Sequence, residues 1–168
     1  LADMAQRSVL LNGLENQVSV LNEDLKFATD SLSKDSTDMV LCNPPYFLNY
    51  ETSKKNPNKY LAIARHELTT NINQICAVSA DLLKMNGKLC LVYRPDRLTD
   101  LIVTLRQNRL EPKVLRLVRS KADKPANMVL VAAIKDGRAN GLRVLPDLIT
   151  HNGTQYSKEV KKMLYGKD

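Results

Sequence analysis

Residues 39–46 constrain this chain more than any other stretch: the apolar run Met39-Val40-Leu41-Cys42 stops on Asn43-Pro44-Pro45-Tyr46. A short continuous apolar run bounded by turn residues predicts a buried strand. Two adjacent prolines cannot extend it, because each lacks a backbone N–H and each has a fixed φ. The chain therefore has to leave its sheet at Asn43, at the carboxyl end of that strand. In open α/β sheets this is the end at which ligands bind.

The flanking pattern predicts the rest of such a sheet. Leu1, Met4, Ala5, Ser8 and Val9 follow helical spacing, and Asn12-Gly13 is a helix stop. Val18 to Leu21 reads as a short strand ending at Asn22-Glu23-Asp24. Residues 51–59 are polar and aperiodic and predict a mobile loop after the Pro-Pro corner. Leu68, Ile72, Ile75, Cys76, Ser79, Leu82 and Leu83 then share one helix face, which Asn86-Gly87 ends. Leu89 to Tyr93 is the next buried strand, and Pro95-Asp96 opens a helix carrying Leu98, Leu101, Ile102 and Leu105 on one side. Lys113 to Val118 and Met128 to Ile134, separated by a polar loop, read as a long hairpin. The tail reads as an edge segment followed by a short helix over Lys158–Leu164. This order predicts an α/β fold, the back portion of a doubly wound Rossmann-like sheet, mostly parallel with a C-terminal antiparallel hairpin.

Charge is unevenly spread. Residues 1–60 carry a net charge of −2 and residues 61–168 a net of +9. The later part can therefore present a phosphate-facing surface, although isolated surface lysines and arginines are more often simply solvated. No apolar run approaches the length of a membrane span, and the start lacks the basic region of a signal peptide. Cys42, Cys76 and Cys90 have no metal-ligand spacing and read as free thiols of a reducing, cytoplasmic compartment. His151 is isolated, so no metal site is expected.

The corner itself suggests a chemistry. The nitrogen of an aromatic amine or amide is a poor nucleophile because its lone pair is delocalised. Accepting its two hydrogens at suitable angles makes the nitrogen more pyramidal and exposes the lone pair. Asn43 offers a side-chain carbonyl for one hydrogen and Pro44 a backbone carbonyl for the other. Pro44 and Pro45 hold that geometry in advance and bring no competing N–H. Tyr46 offers a flat face on which a base can stack. The plainer reading of the same residues is a chain reversal.

Asn43-Pro44-Pro45-Tyr46-Phe47 resembles the signature of amino-group methyltransferases acting on adenine, cytosine or glutamine amides. Over most of its length the chain resembles the tRNA1(Val) adenine-37 N6-methyltransferase family. The segments that carry this are Ala64-Arg65-His66-Glu67, Gly87 to Pro95, and Asp147-Leu148-Ile149 with Asn152-Gly153 and Gln155-Tyr156-Ser157. The resemblance implies a class I methyltransferase sheet, S-adenosyl-L-methionine as cofactor and tRNA as partner. It implies that Asn43 and Pro44 hold the target amino group, with Pro45 completing the corner and Tyr46 and Phe47 against the base. It also implies that Asp24 accepts from the cofactor adenine while Leu25 packs beside it. Asp24 read alone is equally a helix N-cap. The family's Gly-rich cofactor loop and the acidic residue that grips the ribose have no counterpart here. The expectation is one partial methyltransferase domain over residues 1–168, binding the cofactor weakly or not at all by itself.

Arg94, Arg97, Lys121 and Lys124 are candidates for tRNA phosphates, and Arg65 and His66 for closing over the substrate with the preceding loop. His66 beside Glu67 also reads as an ordinary helix start. No obligate protein partner is evident. Competing functions are a glutamine-amide N5-methyltransferase of the release-factor type, a DNA adenine methyltransferase, and an inactive binding module. The basic later part favours RNA.

Overall fold

The computed structural model describes residues 1–45 and 70–166. Its helices are α1 (Ala2–Leu11), α2 (Ala28–Ser31), α3 (Ile72–Leu82), α4 (Leu98–Gln107) and α5 (Lys158–Tyr165). Its strands are β1 (Thr37–Cys42), β2 (Leu83–Tyr93), β3 (Leu110–Arg119), β4 (Ala126–Lys135), β5 (Arg143–Ile149), β6 (His151–Asn152) and β7 (Gln155–Tyr156). The first five strands form one sheet in the order β1-β2-β4-β3-β5. β1 runs parallel to β2, and β5 parallel to β3, while β4 is antiparallel to both of its neighbours. Four strands thus point the same way, and β4 returns between them as the second arm of the predicted hairpin.

Side-chain alternation assigns the two faces of this sheet. Leu89, Leu91 and Tyr93 of β2 are buried, and they lie opposite Ala133, Val131 and Val129 of β4, which are also buried. Leu101 and Leu105 of α4, and Ile72, Ile75, Cys76 and Ala80 of α3, complete the same core. Each fully buried leucine contributes roughly 1.5–3 kcal/mol relative to exposure. α3 starts where Asn71 and Gln74 form a reciprocal capping box, with both hydrogen bonds at 3.0 Å. Pro95 pre-sets a single 3-10 turn, Pro95–Arg97, before α4. Pro112 is accommodated within β3 because the ladder to β4 shifts register between Pro112 and Val114 and the ladder to β5 starts only at Val114.

The structure departs from the sequence expectations in three places. Val18 to Leu21 is not a strand: no neighbour offers a ladder among the described residues, and Val18 and Leu21 are exposed. β1 is an edge strand rather than a buried one, with Met39 49% and Leu41 74% exposed. α3 ends at Leu82, earlier than Asn86-Gly87 suggested; those residues instead form a turn inside β2, where Asn86 has φ +64°. Between Thr37 and Met39 of β1 the partner positions jump from Leu83 to Lys88, which is the space this turn occupies. As the α/β expectation has it, helices cover the sheet: α3 and α4 pack on one face. The other face, with Cys90, Val92, Val114, Leu130 and Ala132, floors an apolar groove of about 500 Å³ among the described residues.

Candidate functional site

The parallel strands β1, β2, β3 and β5 all end on one side of the sheet, and the site is built from the segments that leave there. At the end of β1, Asn43 is exposed and lines the 500 Å³ groove with Leu41, Cys42 and Cys90. Pro44 is buried and Pro45 half-buried. The corner therefore sets an exposed Asn43 beside a backbone fixed by two prolines. Tyr46, Phe47, Arg65 and His66, like the loop expected over residues 51–59 and the helix start at Leu68, lie outside the described residues.

The thiol nearest the corner is neutral. Burial pushes the Cys42 thiol up, and it pushes Cys76 up to about 12, with Cys42 as a second, smaller cause. Neither cysteine therefore supplies a thiolate nucleophile. No group of three or more His, Cys, Asp or Glu residues able to hold a metal occurs among the described residues. No helix among them is long and apolar enough to cross a membrane.

Asp24 takes up the capping role: its carboxylate accepts from the Lys26 N–H at 3.0 Å and starts the 3-10 turn Leu25–Phe27. Leu25 is half-buried against the core beneath. Asp24 remains exposed, so capping does not remove it from solvent. Past the end of β2, Arg94 pairs with Asp96 at 3.4 Å. Arg97 lies over the Tyr93 ring at 5.5 Å and pairs with Asp100 at 3.7 Å, leaving its side chain only 14% exposed. Lys121 and Lys124 sit on the β3–β4 turn and are exposed, with Lys124 3.8 Å from Asp123. The structure thus brings Asn43, Arg94, Arg97, Lys121 and Lys124 to one end of the sheet.

Two features escaped the sequence reading. Lys135 is buried, and its ammonium donates to Asp35 and to the Leu83 carbonyl, both at 2.6 Å. The signal was present, since Val129, Val131, Ala133 and Lys135 share one parity of β4 and that parity faces the core. The second is the β6–β7 hairpin, where the His151 and Tyr156 rings meet at 5.0 Å. Residues this close in sequence gave no period from which a ring pair could be read.

Solved structures share this fold. A predicted O-methyltransferase from Agrobacterium tumefaciens matches 98% of this chain and 72% of its own, with a TM-score of 0.76 at 20% identity. A geranyl diphosphate C-methyltransferase from Streptomyces coelicolor matches 80% of this chain and 60% of its own, with a TM-score of 0.53 at 12% identity. The chain thus shares the Rossmann-like fold of these two proteins.

Curated relatives are narrower. A tRNA1(Val) (adenine(37)-N6)-methyltransferase of Bacteroides thetaiotaomicron is 24% identical over 164 residues, which is 96% of this chain and 65% of that protein. The protein of the same name from Porphyromonas gingivalis is 31% identical over 93 residues, 55% of this chain and 35% of that protein. The chain therefore spans just under two thirds of the first relative's length, and its match to the second covers about a third. No family model matches the chain.

Proposed function

We propose that this chain carries the amino-group-holding part of an S-adenosylmethionine-dependent N6-adenine methyltransferase that acts on tRNA. The observation that supports this most directly is the corner: an exposed Asn43 amide beside a buried, rigid Pro44, at the carboxyl end of β1 and on the rim of a groove. The relatives' names support adenine in tRNA as the target.

In this reading the Asn43 side-chain oxygen and the Pro44 carbonyl accept the two amino hydrogens of the base. Their fixed positions favour the pyramidal nitrogen of the transition state over the planar one of the ground state, so the gain appears in rate rather than in binding. Tyr46 supplies a stacking face. The amino proton leaves to solvent after transfer, so no side chain needs a tuned pKa.

The described residues suit part of the cofactor: an exposed carboxylate on Asp24, half-buried Leu25 beside it, and the Asn43 amide. These are the groups that would hold S-adenosylmethionine, which supplies an electrophilic methyl when bound.

Transfer of labelled methyl to tRNA, and not to a release factor, by a protein containing this chain tests the reading. Transfer to the glutamine amide instead would move the assignment to the protein-modifying class, which uses the same corner.

A further inference from the structure

The β6–β7 hairpin projects from the carboxyl end of β5, the far edge of the sheet from Asn43. It is fixed to the turn that follows β3: the Thr150 N–H donates to the Arg119 carbonyl at 2.9 Å, and the His151 N–H to the Ser120 carbonyl at 3.0 Å. The His151 ring packs on Tyr156 and meets the Thr150 hydroxyl through Nδ1 at 2.8 Å. Tyr156 is 44% exposed. His151 divides two grooves. One, of about 370 Å³, is lined by Lys121, Asp123, Asn152 and Ser157. The other, of about 530 Å³, is lined by Gln155, Tyr156, Lys161 and Tyr165. Lys161 leans on the Gln155 side-chain oxygen at 2.9 Å, which holds its ammonium at the mouth of the second groove.

Exposed cations interleaved with flat rings are the chemistry that binds a looped or single-stranded nucleic acid. The cations meet phosphates, and the rings accept bases of any identity. The placement fits as well. Four strand spacings separate β1 from β5, roughly 19 Å at about 4.8 Å each. Lys121 and Lys124 stand on the turn between. A strand whose target base sat at Asn43 would cross this rim within a few nucleotides.

We propose that the β6–β7 hairpin is the docking surface for the RNA strand adjoining the target base, with Lys121 and Lys161 on its phosphates and Tyr156, backed by His151, under a base. This rests on the RNA reading above and adds to it a second contact region, remote from the reacting nitrogen.

The test is fluorescence anisotropy of a short stem–loop RNA, with adenosine in the loop, titrated with the full chain at several salt concentrations. Lys121→Ala with Lys161→Ala should weaken binding about tenfold or more and lower the salt slope by about two. Tyr156→Ala should cost about tenfold and Tyr156→Phe almost nothing, because the ring is what stacks. Lys88→Ala with Arg138→Ala removes equal charge from exposed positions at the opposite end of the sheet and should leave most of the affinity. If that control pair loses as much as the rim pair, net charge rather than the hairpin binds RNA. If the rim variants bind with unchanged affinity and slope while the parent binds RNA, the surface is wrong and the RNA reading stands. If the parent binds anionic phospholipid vesicles, or a glutamine-bearing peptide, and not the RNA, both fall.

Discussion

The Arg116 guanidinium on β3 meets the Glu159 carboxylate on α5 at 2.7 Å, while its Nε donates to the Pro146 carbonyl of β5 at 2.8 Å. One side chain thus ties the last helix to the last two strands of that edge. α5 has no buried residue of its own, and its other local supports include the Ser157 N-cap and the hydrogen bond from Lys161 to Gln155. The hydrogen bond from Arg116 holds the Glu159 carboxyl below its ordinary value of 4.5.

A lowered carboxyl stabilises the native state fully above its ordinary value and loses that contribution as the pH falls through the native one. Glu159→Gln should therefore speed amide exchange across residues 158–165 at neutral pH while the sheet stays protected. Acidifying the parent below 4.5 should move its α5 amide resonances toward those of the variant. Global stability should hardly change, because Glu159 is half exposed. Equal exchange rates in parent and variant would show that the pair does not hold α5.

At the corner, Asn43→Ala should leave the melting temperature almost unchanged, since exposed positions seldom shift stability beyond about 0.5 kcal/mol. Methyl transfer by a protein containing the chain should fall by about 100-fold or more, as for loss of one preorganised polar contact. The fall should be in kcat, with KM for RNA changed little. A near-normal kcat would remove Asn43 from the site.

Lys135 ties the turn before β1 to the end of β4, 100 residues away in sequence. Lys135→Ala leaves the Leu83 carbonyl without its donor and a cavity behind it, and should cost about 2–4 kcal/mol in urea unfolding. Lys135→Met keeps most of the volume and should recover part of that loss. If the alanine variant is as stable as the parent, the buried ammonium has no structural role.

Iodoacetamide at mildly alkaline pH should alkylate Cys90 well before Cys76, with mass spectrometry of peptides as the readout. Cys76 is fully buried and its thiol is pushed up to about 12, so it offers almost no thiolate and no access. Equal labelling in the native protein would contradict this, and urea should abolish the difference.

Much of the fold was legible because its signals are local. The hairpin of β3 and β4, the 3-10 turn at Pro95 that leads into α4 and the exit from β1 at Asn43 each follow from period or proline chemistry within a few residues. Val18 to Leu21 misled because an apolar run becomes a strand only beside another strand, and neighbours are not written in the run itself. The same reason explains β1, whose apolar side chains predicted burial that its edge position does not provide. For the candidate site, residue type alone pointed to Asn43, Pro44 and Pro45 as candidates, whereas Asp24 had two readings, and the structure shows it capping a turn.

The sequence alone determined where the chain turns and which residue types stand at the corner, because proline's missing N–H and fixed φ act within one residue. Only the tertiary structure decided that Lys121, His151, Tyr156 and Lys161 share an end of the sheet with Asn43. That follows from β4 inserting antiparallel between β2 and β3, and strand order is set by long-range backbone pairing that no short window of residues encodes.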